Sequence, residues 1–160
     1  MNSVNIEIEM ENGGIISAEL YPDIAPVTVE NFLALIEENF FDGLIFHRVI
    51  PGFMIQGGGY DANGIHHEAA SIKGEFDKNG FKNDLKHERG VLSMARTMFP
   101  NSASSQFFIM HDDAPHLDGQ YAAFGMVTDG MDVVDEIAET PTDYEDKPIE
   151  DMVIKTMRIV

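Results

Sequence analysis

Val4, Ile6, Ile8 and Met10 alternate with Asn5, Glu7 and Glu9. A period of two puts the apolar set on one face of a β-strand and the polar set on the other. Asn12-Gly13-Gly14 follows, a turn signal because both residue types accept positive φ. Ile16, Ala18 and Leu20 then alternate with Ser17 and Glu19, so residues 4–20 are expected as a hairpin. Pro22 and Pro26 end the return strand. Beyond them Val29, Phe32, Leu33 and Ile36 recur at i, i+3, i+4 and i+7. That spacing predicts an amphipathic helix over residues 27–38.

Further on the apolar runs shorten. Strands are expected at residues 45–50 and 53–56, divided by the turn dipeptide Pro51-Gly52. Residues 57–83 are rich in Gly, Asn and charge and read as a long, partly structured loop. Short strands follow at 91–95, 106–110 and 122–127. Met131, Val134, Ile137 and Ala138 mark a second helix, and 152–160 a closing strand. Many short strands with turn punctuation point to a barrel or a sandwich with two helices added. The periodicity does not choose between them.

The chain has 160 residues, enough for one domain, expected over 1–160. Its apolar fraction of 44% is that of a packed globule. With 28 acidic and 10 basic side chains the net charge is −18, a field that repels nucleic acid and anionic membranes. No cysteine is present, which excludes disulfides, thiolate metal sites and thiol catalysis. The N-terminal stretch has no basic start and does not read as a signal peptide. No apolar run approaches the roughly 18 residues of a spanning helix. A cytoplasmic protein is the expectation.

Candidate chemistry is sparse. Gly57-Gly58-Gly59 is not followed by Lys-Ser/Thr and fails as a phosphate loop, so it reads as a flexible loop. His67-Glu68 resembles the start of a zinc-protease helix, but Ser71 stands where the second His is needed. His111, Asp112, Asp113, His116 and Asp118 read better as a solvated loop beside a groove than as a metal site, because no ligand spacing fixes a geometry. No Gly-x-Ser-x-Gly elbow exists. The informative segment is Phe46-His47-Arg48-Val49-Ile50-Pro51-Gly52-Phe53-Met54-Ile55-Gln56-Gly57-Gly58. It sets Arg48 in an otherwise apolar strand, where an unpaired cation is costly without a purpose. Strand alternation gives Met54 and Gln56 a common face, as suits a groove that binds peptide.

This segment resembles the signature of the cyclophilins. Gly90-Val91-Leu92-Ser93-Met94-Ala95 with Ser105-Gln106-Phe107-Phe108-Ile109 is similar to the family's next block, and Leu117-Asp118-Gly119 with Phe124-Gly125 completes the order. Ala25-Pro26-Val27-Thr28-Val29-Glu30-Asn31-Phe32 is similar to its first helix. The resemblance covers residues 6–160. It implies a mainly β fold, a closed eight-stranded antiparallel barrel capped by two α-helices. It also implies a peptidyl-prolyl cis–trans isomerase that assists protein folding and needs neither cofactor nor metal. Arg48 matches the catalytic arginine. Phe53, Met54, Phe108 and Leu117 match the proline pocket, Gln56 and Gln106 the groups that hold substrate backbone, and Ala95 a main-chain contact beside Arg96. Tyr121 stands where many eukaryotic relatives have histidine, His116 where they have tryptophan, and Arg96 where they have asparagine. These departures resemble the short bacterial type. The implied partners are proline-containing polypeptides, with weak cyclosporin binding, and the chain is expected as a monomer. Two rival classes are a proline-peptide binding module without turnover and a metal-dependent hydrolase built on the His/Asp loop.

Overall fold

The computed structural model describes residues 2–160; the expected domain begins at Met1, outside the described residues. The hairpin forms as expected, with β1 (Val4–Met10) and β2 (Ile15–Leu20) paired in the register Ile6↔Ala18 and Ile8↔Ile16. Ile6, Ile8, Ile16 and Leu20 are fully buried, whereas the alternate residues face solvent. The first helix, α1 (Pro26–Glu37), buries Val29, Phe32, Leu35 and Ile36. Then come β3 (Arg48–Ile50), β4 (Met54–Gly57), β5 (Val91–Met94), β6 (Phe107–Met110), β7 (Ala123–Asp129), α2 (Met131–Ala138) and β8 (Ile154–Ile159).

All eight strands join one antiparallel sheet in the order β3-β4-β6-β5-β7-β2-β1-β8. The expected closed barrel does not form. β3 and β8 are the two edges, and among the described residues no ladder joins them. An isolated bridge, Ile45↔Val153, and the backbone hydrogen bonds Gly43 N–H to Ile154, Ile154 N–H to Leu44 and Phe46 N–H to Met152 tie the chain before β3 to the start of β8 without extending into a ladder. The cause lies at β3, which is reduced to three residues. Its Val49 N–H donates to the carbonyl of Asp146 at 2.8 Å, so the connection before β8, rather than β8 itself, covers that edge. The sheet is an open, curled half-barrel.

The main core fills the curl. Phe32 of α1 packs against Phe107 and Phe124 with ring centroids 5.3 and 5.1 Å apart, close to the spacing aromatic pairs favour. A second cluster, including Met54, Phe108, Met110, Leu117 and Ala123, lies on the opposite face of β4, β5 and β6. These strands are therefore covered on both sides, with every residue of β5 and β6 buried.

Residues 57–83 carry no strand of the sheet except the last residue of β4, and a single short 3-10 turn at Asp77–Asn79. They are nonetheless tied down. Asn83 donates to the carbonyls of Glu75 and Ala123, each at 2.9 Å. The triple glycine within them is not the flexible loop expected. A Cβ at Gly57 would lie 2.7 Å from the Ile45 carbonyl oxygen, and one at Gly59 2.6 Å from the Gln106 side chain. Glycine is needed there for close packing. Among the described residues no helix is long and apolar enough to cross a membrane.

Candidate active site

The second cluster borders a cavity of about 240 Å³. Its geometry follows from strand register. β3 pairs with β4 as Arg48↔Gln56 and Ile50↔Met54, so Arg48 and Gln56 stand side by side. Alternation along β4 turns Met54 toward the cavity and Ile55 into the main core. β6 supplies Phe108, opposite Gln56. Ala95 and Arg96 come from the chain after β5, and Leu117 and Tyr121 from the segment before β7. Arg48, Phe53, Met54, Gln56, Ala95, Arg96, Phe108, Leu117 and Tyr121 line the cavity. Its floor is apolar: Met54, Phe108 and Leu117 are buried.

Arg48 stands at the polar edge, on the exposed side of an edge strand rather than inside an apolar environment. The burial cost inferred from the sequence therefore does not arise. Among the described residues its side chain makes one hydrogen bond, 3.4 Å from Nη1 to Oε1 of Gln56. Gln56 Nε2 donates in turn to Oε1 of Gln106 at 3.0 Å. Gln106 lines a neighbouring cavity of about 250 Å³, which shares Gln56, Ala95 and Arg96 with the first. His116 lines neither; its ring lies 5.9 Å from that of Phe53.

The family model described as cyclophilin type peptidyl-prolyl cis-trans isomerase/CLD matches residues 5–159. The chain belongs to this family. It is 49% identical over 145 residues to a peptidyl-prolyl cis-trans isomerase of Acinetobacter baylyi, covering 86% of this chain and 74% of the relative. It is 42% identical to peptidyl-prolyl cis-trans isomerase B of Escherichia coli, over 92% of this chain and 95% of that one. A Cryptosporidium parvum cyclophilin-type isomerase, solved in the presence of the dipeptide Ala-Pro, superposes with a TM-score of 0.83 at 32% identity, covering 98% of each chain.

Within this cyclophilin-type site, Arg96 is already engaged. It donates to the carbonyls of Gln120 (2.6 Å) and Thr97 (2.9 Å), and its guanidinium lies between the rings of Phe76 and Tyr121, 4.7 and 4.6 Å from their centroids. It braces the cavity wall. Tyr121 meets Phe108 edge-on at 5.8 Å. His47, next to Arg48, packs against Tyr60 with ring centroids 4.8 Å apart. Burial, and after it the charge of Arg48, pull the His47 pKa down to about 4, so it is neutral at pH 7.

Sequence reasoning missed the support beneath the floor. His87 is buried and stacks on Phe108 at 6.0 Å. Its Nδ1 lies 3.1 Å from Oδ1 of Asp118 and its Nε2 2.9 Å from Oγ of Ser93. Burial lowers its pKa, against the opposing pull of Asp118. The only sequence signal was a serine within the apolar run of β5 and an aspartate in the Leu-Asp-Gly block.

The residues of the candidate metal loop turn to separate partners. His111 Nδ1 accepts from the Gly52 N–H at 2.8 Å, and its Nε2 lies 3.1 Å from Asp135. Asp113 accepts from the Arg89 N–H. His67 pairs with Asp61 at 2.8 Å. Among the described residues, no group of three or more His, Cys, Asp or Glu side chains is arranged to hold a metal ion.

Proposed function

We propose that this chain catalyses cis–trans isomerisation of Xaa-Pro bonds in polypeptides, with Arg48 as the catalytic residue. One observation carries the reading: a guanidinium with no carboxylate partner among the described residues stands at the edge of a small cavity with an apolar floor. That the Cryptosporidium relative was solved in the presence of the dipeptide Ala-Pro supports the substrate class.

The chemistry asks little of a protein. Resonance stiffens the prolyl amide, with a barrier of about 18–20 kcal/mol and spontaneous exchange over tens to hundreds of seconds. Reaching an ordinary enzymatic turnover of roughly 1–10³ s⁻¹ takes only about 3–7 kcal/mol. No bond breaks, so no nucleophile is required. Phe53, Met54, Phe108 and Leu117 hold the proline ring while the acyl side turns. Rotation localises the lone pair on the prolyl nitrogen. A guanidinium directed at it stabilises the twisted state more than the planar one, which is the condition for catalysis. The apolar walls exclude water and strengthen that field. Gln56 and Gln106, aligned by their own hydrogen bond, offer an amide donor and acceptor to substrate backbone, and Ala95 a main-chain contact.

A protease-coupled assay on a proline tetrapeptide tests the reading. Catalysed exchange, equal with and without EDTA, is expected. Binding without catalysis would favour the module that only grips proline peptides, and loss of turnover in EDTA the metal-dependent class. The same reading takes residues 1–160 as one domain working as a cytoplasmic monomer, kept apart from its copies by a net charge of −18.

Weak cyclosporin binding belongs to this reading too. His116 stands where many relatives carry tryptophan. An imidazole buries less apolar area than an indole and splits donor and acceptor roles between its two nitrogens when neutral. His116→Trp should tighten cyclosporin by about tenfold, since a well-buried aromatic contact is worth up to about 1.5 kcal/mol. Peptide turnover should change far less, because the floor is untouched. Inhibition titrations on both proteins check this, and equal inhibition constants would mean that the position does not govern drug affinity.

A further inference from the structure

Large apolar side chains held in water need a reason. Met98 and Phe99 are 85% and 68% exposed at the tip of the loop between β5 and β6. A scattered exposed residue is ordinary. This pair is different because the loop that carries it is locked. Ser102 Oγ accepts from the Thr97 N–H at 2.9 Å and from Thr97 Oγ1 at 2.8 Å, and donates to the Phe99 carbonyl at 2.7 Å. The Phe99 N–H donates to Thr97 Oγ1 at 3.2 Å. Next to the tip, Asn101 Oδ1 accepts from the Gly74 N–H and from Asn79 Nδ2, at 3.0 and 2.9 Å. The backbone that carries the two side chains is thus held as a braced turn.

The turn is continuous with the substrate groove. Thr97 and Ser102, which close it, also line the second cavity, and that cavity shares Gln56, Ala95 and Arg96 with the proline cavity. A polypeptide leaving the proline cavity across the second one would meet the tip within a few residues. We infer that Met98 and Phe99 form an apolar secondary contact that selects substrates carrying large apolar side chains a few positions from the proline. Unfolded chain segments present such side chains; polar surface loops of folded proteins do not. Methionine adapts to varied shapes and phenylalanine gives a rigid face, a pairing suited to a broad set of apolar side chains. The inference rests on the isomerase reading and adds to it a substrate class.

The test compares two peptides of equal length, each with one central proline. One carries Leu and Phe on both flanks, the other Ser and Asn. The wild type should prefer the apolar peptide. In the double variant M98S/F99S its kcat/KM should fall by about tenfold through KM, as expected from losing part of one buried aromatic and one thioether contact. The polar peptide should change less than about twofold, because it loses no apolar burial. M98L/F99L, which keeps apolar bulk, should keep the preference. Equal losses on both peptides, or none on the apolar one, would overturn the inference while leaving the isomerase intact. A wild type that turns over neither peptide would overturn the isomerase reading itself.

Discussion

Arg48→Ala is expected to lower kcat/KM for a proline peptide by at least about tenfold, or about 1.4 kcal/mol of transition-state stabilisation. The fold should not suffer. Arg48 is exposed on an edge strand, and its one side-chain hydrogen bond is a long contact of 3.4 Å with Gln56. Surface substitutions of that kind stay within about 0.5 kcal/mol of the parent. The loss should fall on kcat more than on KM, because a guanidinium aimed at the prolyl nitrogen acts on the twisted amide rather than on the planar ground state. Arg48→Lys should restore only part of the rate: an ammonium is a point charge without the fixed planar fork. Steady-state kinetics with a parallel melting curve decide the matter. A folded Arg48→Ala protein with near-normal turnover would remove the electrostatic mechanism and leave the cavity as a binding groove alone.

How far the sequence foretold this site depends on what each residue faces. β1 and β2 were legible because one face meets the core and the other meets water, so Ile6 and Ile8 alternate with Glu7 and Glu9. β5 and β6 are buried on both faces, and their alternation is erased. They were legible only as short apolar runs at 91–95 and 106–110, with no face assigned. Of the site residues that the family resemblance implied, all but Gln106 and His116 line the first cavity, Gln106 lines the second, and His116 lines neither. The resemblance overstated the architecture: whether a curled sheet closes depends on its edge strands. The partner of the β3 edge is the carbonyl of Asp146, on a connection with no periodic signal.

Other misses share one cause. Arg48 looked buried because its sequence neighbours are apolar, yet alternation in an edge strand turns it outward. The triple glycine looked flexible because its neighbours in space, Ile45 and Gln106, are distant in sequence. His87 finds Asp118 across 31 positions. Periodicity reports which face a residue occupies; it does not report which polar group across the fold completes that residue.

Another such long-range contact concerns stability. Glu75→Ala is expected to destabilise the fold by about 3 kcal/mol, lowering the melting temperature by about 6–12 °C for a domain of this size. The first N–H groups of any helix lack partners within it, and a local side chain usually satisfies one of them. α1 has no such cap. Ala25 stands at the position before Pro26 and offers no side-chain acceptor. Glu75, remote in sequence and only 1% exposed, does the work instead. Its Oε1 accepts from the Thr28 N–H at 2.7 Å and from Thr28 Oγ1 at 2.8 Å, and its Oε2 accepts from the Val27 N–H at 3.2 Å. Alanine would strand the two buried Thr28 donors, at about 1–3 kcal/mol for each buried group left unpaired, whereas the part-buried Val27 N–H can turn to water. A negative side chain at this end also complements the helix dipole. Glu75→Gln should therefore cost less than alanine but still be measurable, because the amide keeps one acceptor oxygen and loses the charge. Thr28→Ala, which removes only the hydroxyl of the three donors, should cost about 1 kcal/mol. Urea or thermal unfolding of the three variants separates these values. An alanine variant within about 0.5 kcal/mol of the parent, the usual range of a neutral surface change, would show that the start of α1 is satisfied without Glu75.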